Sequence, residues 1–413
     1  MKSLLKIIIS HPTGNQNSRN AIKALIESNN LYFFITSLSI DTKKFILKIL
    51  PVKIKKELDK RNFFLITDKI KSVAVFAELF RLILGRFFKR KFNNNDDVLG
   101  IYKKVDKYTS TYISKNYEKI KAVYCYEDGA LETFKEAKKH NIKCIYELPI
   151  GYWKAKHKIN NQEILRNKKW GKTWLDYKDN LSMLRRKDME LKLSDYIIVP
   201  SIFVKKTLSI FPQYKKKIHI LPYGFPNTIN VKKKDWYNGK KKLRVLYAGG
   251  LTQRKGISYV IASLKKIIDQ KKKEPITITF IGSGSAEELI KKELPQIIIK
   301  QYLSHQDVLK EMLKSDVLLF PSLFEGFGLV ILEAMSRGMV VISTNRTGLI
   351  DVSRGNDSII VKANSHKEIY NSLNSLLQNP SLVKKIGFNA IKTAKNYNWS
   401  KYRARLNKII KDV

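Results

Sequence analysis

Cysteine is almost absent: the 413 residues contain two, Cys125 and Cys144. That excludes a disulfide framework. No CxxC pair or His/Cys cluster points to a metal site, so none is expected. Both cysteines sit in apolar runs, VYCYE and KCIYE, where a small buried hydrophobe is the favoured reading. No uncharged apolar stretch approaches the ~20 residues a spanning helix needs. The opening MKSLLKIII is basic then apolar, too short for a signal core, and reads as a first buried strand. The expected location is the cytoplasm, with peripheral contact at the inner face of the membrane left open.

Acidic residues are also scarce, 36 Asp+Glu against 79 Lys+Arg, for a net charge of +43. Such a surface attracts nucleic acid, anionic lipid or phosphorylated substrates. A compositional origin competes, because Lys, Ile and Asn are abundant along the whole chain. The basic residues are spread and no recognised nucleic-acid module is present, which disfavours a nucleic-acid-binding protein. Within 70–92, an apolar stretch ends in Arg86, Lys89, Arg90 and Lys91 among Phe87, Phe88 and Phe92. It reads either as a core helix with a solvated end or as a membrane-surface helix.

What is present is length and alternation. A chain of 413 residues, 44% hydrophobic, suits two α/β domains of ~200 residues. Residues 4–9 form a strand candidate, followed by a Gly-containing loop, a helical pattern over 19–28 and an apolar run at 31–35. Residues 43–58 read as largely helical. Strands are expected at AVYCYE, CIYEL, IIVPS (197–201) and IHILPYG (218–224), with a helix at 131–140. The basic stretch up to 242 looks like a linker. Alternation then restarts: strands LRVLYAG, ITITFIG, DVLLFPS and VVIST, helices at 257–268, 287–294, 308–315 and 329–337, and a helical tail over 381–413. Such βαβ alternation implies parallel sheets covered by helices on both faces.

The strongest local signal is FPSLFEGFGLVILEAMSRG at 320–338. A buried strand ends at Phe320, a loop carries Gly326 and Gly328, and a helix follows. Ligands of open parallel sheets bind at the carboxyl ends of strands. The N–H groups of Gly326, Phe327, Gly328 and Leu329 then face a crevice that suits a phosphate. Glu325 and Glu333 flank the same ligand, and carboxylates accept hydrogen bonds from sugar hydroxyls. Helix capping and a solvated charge are the plain alternatives for this pair.

This stretch resembles the Glu-x7-Glu motif of the retaining GT-B glycosyltransferases of family 4, the group 1 transferases. SDYIIVPS (194–201), IHILPYG (218–224) and YAGGLTQRKG (247–256) resemble three further motifs of that family, in the right order. The resemblance implies two doubly wound Rossmann-like domains facing a central cleft, with a C-terminal helix returning to the first. Boundaries follow: residues 1–228 for the acceptor domain, 229–242 for the linker, 243–392 for the donor domain and 393–413 for the returning helix. It implies Glu325 on the donor sugar, Glu333 on the ribose, and Lys255, helped by Arg254, on the diphosphate. Gly282 and Gly284, with Tyr302, would border the nucleobase pocket, and Gly14 would approach the donor from the first domain. No cofactor or metal is expected; the nucleotide-sugar is a substrate.

Two departures stand out. Gly250 occupies a position where the family usually has an arginine. The mid-domain strand CIYELPI (144–150) ends without the histidine many relatives place near the reacting sugar. Glu127, Asp128 and Glu147 are the acidic candidates for taking the acceptor proton, with capping or orientation of neighbours as the alternative for each. His11, Asn15 and Arg19 are the acceptor-side candidates, Arg19 being equally readable as a helix-surface charge. The implied activity is transfer of a sugar, with retained anomeric configuration, to a cell-surface glycan or lipid-linked acceptor. An epimerase or phosphorylase of the same fold is the runner-up.

Overall fold

The computed structural model describes residues 6–40, 58, 61–63, 68–87, 95–174, 180–225, 234–270 and 275–413. The helix expected over 43–58, apart from Leu58, and the basic aromatic end at Phe88–Phe92 lie outside them. Two parallel sheets organise the chain.

The first has seven strands: β1 (Ile7–Ser10), β2 (Leu31–Thr36), β3 (Ile70–Ser72), β4 (Ala122–Tyr126), β5 (Lys143–Glu147), β6 (Tyr196–Val199) and β7 (Ile218–Ile220). Their spatial order is β3-β2-β1-β4-β5-β6-β7. The second has six: β8 (Leu243–Ala248), β9 (Ile276–Ile281), β10 (Ile298–Lys300), β11 (Val317–Phe320), β12 (Val340–Thr344) and β13 (Ile359–Val361), ordered β10-β9-β8-β11-β12-β13. The central strands are buried on both faces, and so read as unbroken apolar runs rather than alternation.

Sixteen helices lie among the described residues. In the first half they are α1 (Gln16–Glu27), α2 (Val75–Phe87), α3 (Asn95–Asn116), α4 (Leu131–Lys139), α5 (Trp153–Arg166), α6 (Lys168–Gly171), α7 (Leu181–Leu193) and α8 (Ile202–Thr207). The second half adds α9 (Ile257–Asp269), α10 (Glu287–Glu293), α11 (His305–Lys314), α12 (Leu329–Met335), α13 (Leu349–Val352), α14 (His366–Gln378), α15 (Pro380–Ala394) and α16 (Trp399–Lys411).

Two sequence readings change. The tail is not one helix: residues 395–398 break it, because Asn398 is extended and its side chain accepts from Lys401 N to start α16. The break passes directly under Gly224, where a Cβ would lie 2.7 Å from the Asn398 carbonyl carbon. Residues 234–237, read as patternless linker, are fastened to the second sheet's helices. The half-buried Lys234 donates its ammonium to the carbonyls of Ser315 (2.7 Å) and Arg337 (2.8 Å), at the ends of α11 and α12. Trp236 Nε1 donates to Gly338 O. Carbonyls at helix C-termini attract a cation, which explains the lysine.

α16 packs back on α1, tied by Arg403 to Glu27 (2.7 Å) and Asn20. Its Tyr402, Leu406 and Ile410 share a buried cluster with Ile7, Phe34 and Tyr124 of the first sheet and Leu246 and Phe320 of the second.

Candidate active site

The second sheet changes direction between β8 and β11, which are neighbours in space although 68 residues separate their ends. Val245 pairs with Val317 and Tyr247 with Leu319. This register brings the loops after the two strands side by side at their carboxyl ends, where open α/β sheets bind ligands. Arg254 and Lys255 come from the first loop and Glu325 from the second. Lys255 Nζ donates to Glu325 Oε2, and Arg254 Nη1 lies 3.7 Å from the same oxygen while donating to Phe324 O at 3.0 Å. Three predicted residues thus meet.

Their charges are strongly coupled. Burial pushes the Glu325 carboxyl up, but Lys255 and Arg254 outweigh it and hold the group below the usual carboxylate range. Burial holds the Lys255 ammonium below its ordinary value despite Glu325. Gly256 ends the lysine turn at φ 73°, and a Cβ there would lie 2.1 Å from Pro321 O, so only glycine lets the two loops touch.

Beyond Glu325 the loop meets the other half of the molecule. A Cβ on Gly326 would sit 1.9 Å from Pro149 O, and Ser201 Oγ donates to Gly326 O at 2.6 Å. Of the four N–H groups expected to face a crevice, that of Gly326 turns toward Glu325 Oε1 (3.3 Å). Those of Phe327, Gly328 and Leu329 find no acceptor among the described residues. The Phe327 ring is core, packed edge-on against Tyr223 and filling the space left by Gly348. Glu333, in α12, receives a hydrogen bond from His305 Nε2 at 2.8 Å, a partner that sequence reasoning missed.

The glycines divide by role. Gly282 and Gly284 are there for close packing: a Cβ would lie 2.0 Å from Gly249 O and 2.5 Å from Leu251 O respectively. Around Gly250, by contrast, a Cβ would meet nothing within 4 Å, so the space for a larger side chain is present. Tyr302 lies two residues beyond the end of β10, the neighbour of β9, and is 88% exposed.

The first sheet reverses between β1 and β4, and its loops carry the acceptor-side candidates. His11 is buried, and its Nδ1 accepts from Thr13 N (3.1 Å) and Gly14 N (3.0 Å). Burial lowers its pKa to about 4, so the ring is neutral. Asn15 caps α1 through Ser18 N. Arg19 is not a free surface charge. It donates to Gly14 O (2.8 Å) and Asn62 O (2.7 Å) and lies over the Phe63 ring. Phe63 occupies the space a Gly14 side chain would need, 2.0 Å from its Cβ position. His11, Gly14, Asn15 and Arg19 together fix the loop between β1 and α1.

Glu147 ends β5 fully buried, with Tyr124 OH (2.5 Å) and Tyr223 OH (2.8 Å) donating to its two oxygens. Burial raises its pKa. It orients tyrosines instead of meeting solvent. Glu127 and Asp128 share one cation, Lys187 Nζ, at 3.1 and 3.2 Å, and burial raises the Glu127 carboxyl. Lys187 sits on α7, which also brings Glu190 to the N–H groups of Asp128, Ala130 and Leu131. No sequence signal links α7 to this loop, about sixty residues away. Among the described residues no group of three His, Cys, Asp or Glu side chains is placed to hold a metal ion.

Residues 229–393 match the family described as Glycosyl transferases group 1. The second half of this chain carries a group 1 glycosyltransferase domain. Over 242 residues the chain is 27% identical to the capsular polysaccharide biosynthesis glycosyltransferase CapM of Staphylococcus aureus. That alignment spans 53% of this chain and 63% of CapM, less than two thirds of the relative's length. In three dimensions the chain is similar to sucrose-phosphate synthase of Thermosynechococcus elongatus, with a TM-score of 0.66 at 13% identity, covering 99% of this chain and 98% of that one. It is also similar to HepE of Anabaena solved with UDP-glucose, TM-score 0.61 at 12% identity, covering 99% and 100%. The two-sheet architecture is therefore the GT-B fold. The group 1 match begins ahead of β8 and ends within α15, so it takes in Arg254, Lys255, Glu325 and Glu333.

Proposed function

We propose that this protein is a glycosyltransferase that moves a sugar from a nucleotide-sugar to a hydroxyl of a cell-surface glycan or lipid-linked acceptor, retaining the anomeric configuration. The observation that carries this is the meeting of Lys255, Arg254 and Glu325 at the β8/β11 reversal of a group 1 domain. A diphosphate entering there replaces Glu325 as the partner of Lys255. The freed carboxylate then turns to the donor sugar, and the N–H groups of Phe327, Gly328 and Leu329 add stabilisation for the departing anion. Glu333, oriented by His305, takes the ribose hydroxyls. Gly250 carries no cation, so the diphosphate charge falls on Lys255 and Arg254. The likeness to a capsular polysaccharide enzyme favours a surface glycan as acceptor.

Retention follows from attack on the same face as the departing diphosphate, with an oxocarbenium-like centre between them. The Glu127–Asp128–Lys187 cluster, at the end of β4, is the polar group available to the acceptor hydroxyl. Closure of the two halves excludes water and limits hydrolysis.

Peripheral membrane contact belongs to the same reading. On α2, Phe76 and Phe80 lie one turn apart and are 88% and 63% exposed, on a chain of net charge +43. Rings at the acyl boundary with cations nearby suit an anionic surface. Among the described residues no helix is long and apolar enough to cross a membrane.

The test is acceptor-dependent release of nucleoside diphosphate from a nucleotide-sugar panel. Lys255→Ala and Glu325→Gln are each expected to slow release by about a hundredfold or more. Undiminished transfer in either variant sinks the site, and donor conversion without acceptor-dependent release points to an epimerase.

A further inference from the structure

The polypeptide between β5 and β6 belongs to the first sheet by sequence, yet it leaves that sheet. Trp153 and Lys154 still meet Asp188 of the first half, but the strap that follows, residues 155–174 through α5 and α6, lies on the second. Trp170 and Trp174 are buried in the same cluster as Leu243, Tyr247, Tyr259 and Phe280. Glu163 is 1% exposed and collects donors from the second domain alone: Tyr259 OH (2.8 and 2.9 Å), Gln253 Nε2 (2.7 Å) and Asn364 Nδ2 (2.6 Å). Its charge is compensated by Arg166 on its own helix at 3.6 Å. A carboxylate removed from water this completely persists only when its oxygens are hydrogen-bonded.

The donors are not scattered. Gln253 is the first residue of the short turn whose next two residues are Arg254 and Lys255. Its side chain is held three ways, donating to Glu163 and to Ser258 Oγ (2.7 Å) and accepting from Ser258 N (3.1 Å). Its backbone N–H donates to Thr173 Oγ1 at 3.1 Å, so a second strap residue holds the same turn. Ser285 Oγ binds Thr173 O (2.8 Å), and Asn167 Nδ2 binds Ser258 Oγ (3.0 Å). The strap thus grips both the β8 and β9 loops.

We propose that Glu163 and Thr173 are positioning residues for the donor diphosphate, acting through Gln253 to present Arg254 and Lys255. This rests on the donor-site reading above and extends it outside residues 229–393. A turn of three residues between a strand and a helix has little order of its own. Fixing its first residue at both main chain and side chain removes the freedom that binding would otherwise have to remove. The strap accordingly stays with the second half when the cleft opens and closes.

Two measurements on the full chain test this: amide hydrogen exchange without ligand, and calorimetric titration with UDP, GDP, ADP and dTDP. Thr173→Val keeps the shape and removes the acceptor for Gln253 N–H, together with the hydroxyl's own bond to Trp170 O within the strap. It is expected to speed exchange across 253–259 about tenfold, while 276–281 and 317–320 keep their protection. It should weaken the best-bound nucleotide by about the same factor. Glu163→Gln sets an amide against the amides of Gln253 and Asn364 and should do more. Adding Gln253→Glu restores a donor–acceptor pair and should recover both readouts. Unchanged exchange at 253–259 in the single variants overturns the proposal. So does a loosened turn with unchanged nucleotide affinity, or slackening spread evenly over the chain. A wild type that binds none of the four nucleotides contradicts the donor reading instead, and the exchange data alone then judge the strap.

Discussion

A neutral imidazole holds the loop after β1. His11 Nδ1 accepts two backbone N–H groups, so protonation would set a positive ring against two donors inside the protein. Its pKa falls from the ordinary 6.5 to about 4 through burial. The unfolded chain therefore binds this proton more readily than the folded one between these values. The stability that the neutral ring contributes is present above pH 6.5 and is lost as pH falls toward 4, by about 3 kcal/mol. Asparagine presents an oxygen where Nδ1 lies and does not titrate. In urea unfolding at a series of pH values, wild type should lose about 3 kcal/mol more than His11→Asn between pH 6.5 and 4; parallel pH profiles would contradict this. From sequence His11 reads only as an acceptor-side candidate; the two backbone N–H groups at its ring, which make it a brace, show only in the fold. Arg19 is the same kind of case, its guanidinium being taken by Gly14 O and Asn62 O.

At the scale of elements, legibility follows burial. β4, β5, β8, β11 and β12 are readable because strands covered on both faces are continuous apolar runs bounded by turn residues. α5 and α7 are not readable in KAKHKINNQEILR or LRRKDMELKL, because what they bury is polar: Glu163 in the second domain, and Arg186, Lys187 and Glu190 around the β4–α4 turn. Charge-mediated burial carries no hydrophobic period. α2 presents the opposite case, an apolar segment that leaves rings in solvent. Wild type is expected to co-float with vesicles of anionic lipid at ~0.1 M salt, and Phe76→Ser with Phe80→Ser to reduce that binding about tenfold or more. Flotation unaffected by the pair, or absent in wild type, would remove α2 as a membrane contact.

For the whole molecule, the site is a consequence of two sheets reversing direction and facing each other. The β8/β11 reversal assembles Lys255, Arg254 and Glu325 from loops seventy residues apart, and the β1/β4 reversal assembles the His11 and Glu127 loops opposite. The chain crosses between the halves more than once: through the strap 155–174, through the segment before β8, and back by α16. The Lys255–Glu325 wall is legible in sequence because its residues fall within two compact motifs. The surroundings of Glu127 and Glu147 are not, since Lys187, Tyr124 and Tyr223 reach them from separate elements. The central claim is that the Lys255–Glu325 wall holds the diphosphate of a nucleotide-sugar. Calorimetric titration of wild type and Lys255→Ala with a panel of nucleotide-sugars tests it most directly. The account predicts that wild type binds members sharing one base, and that Lys255→Ala weakens that binding at least about tenfold while the fold is kept. Binding of no member, or equal binding by the variant, would contradict it.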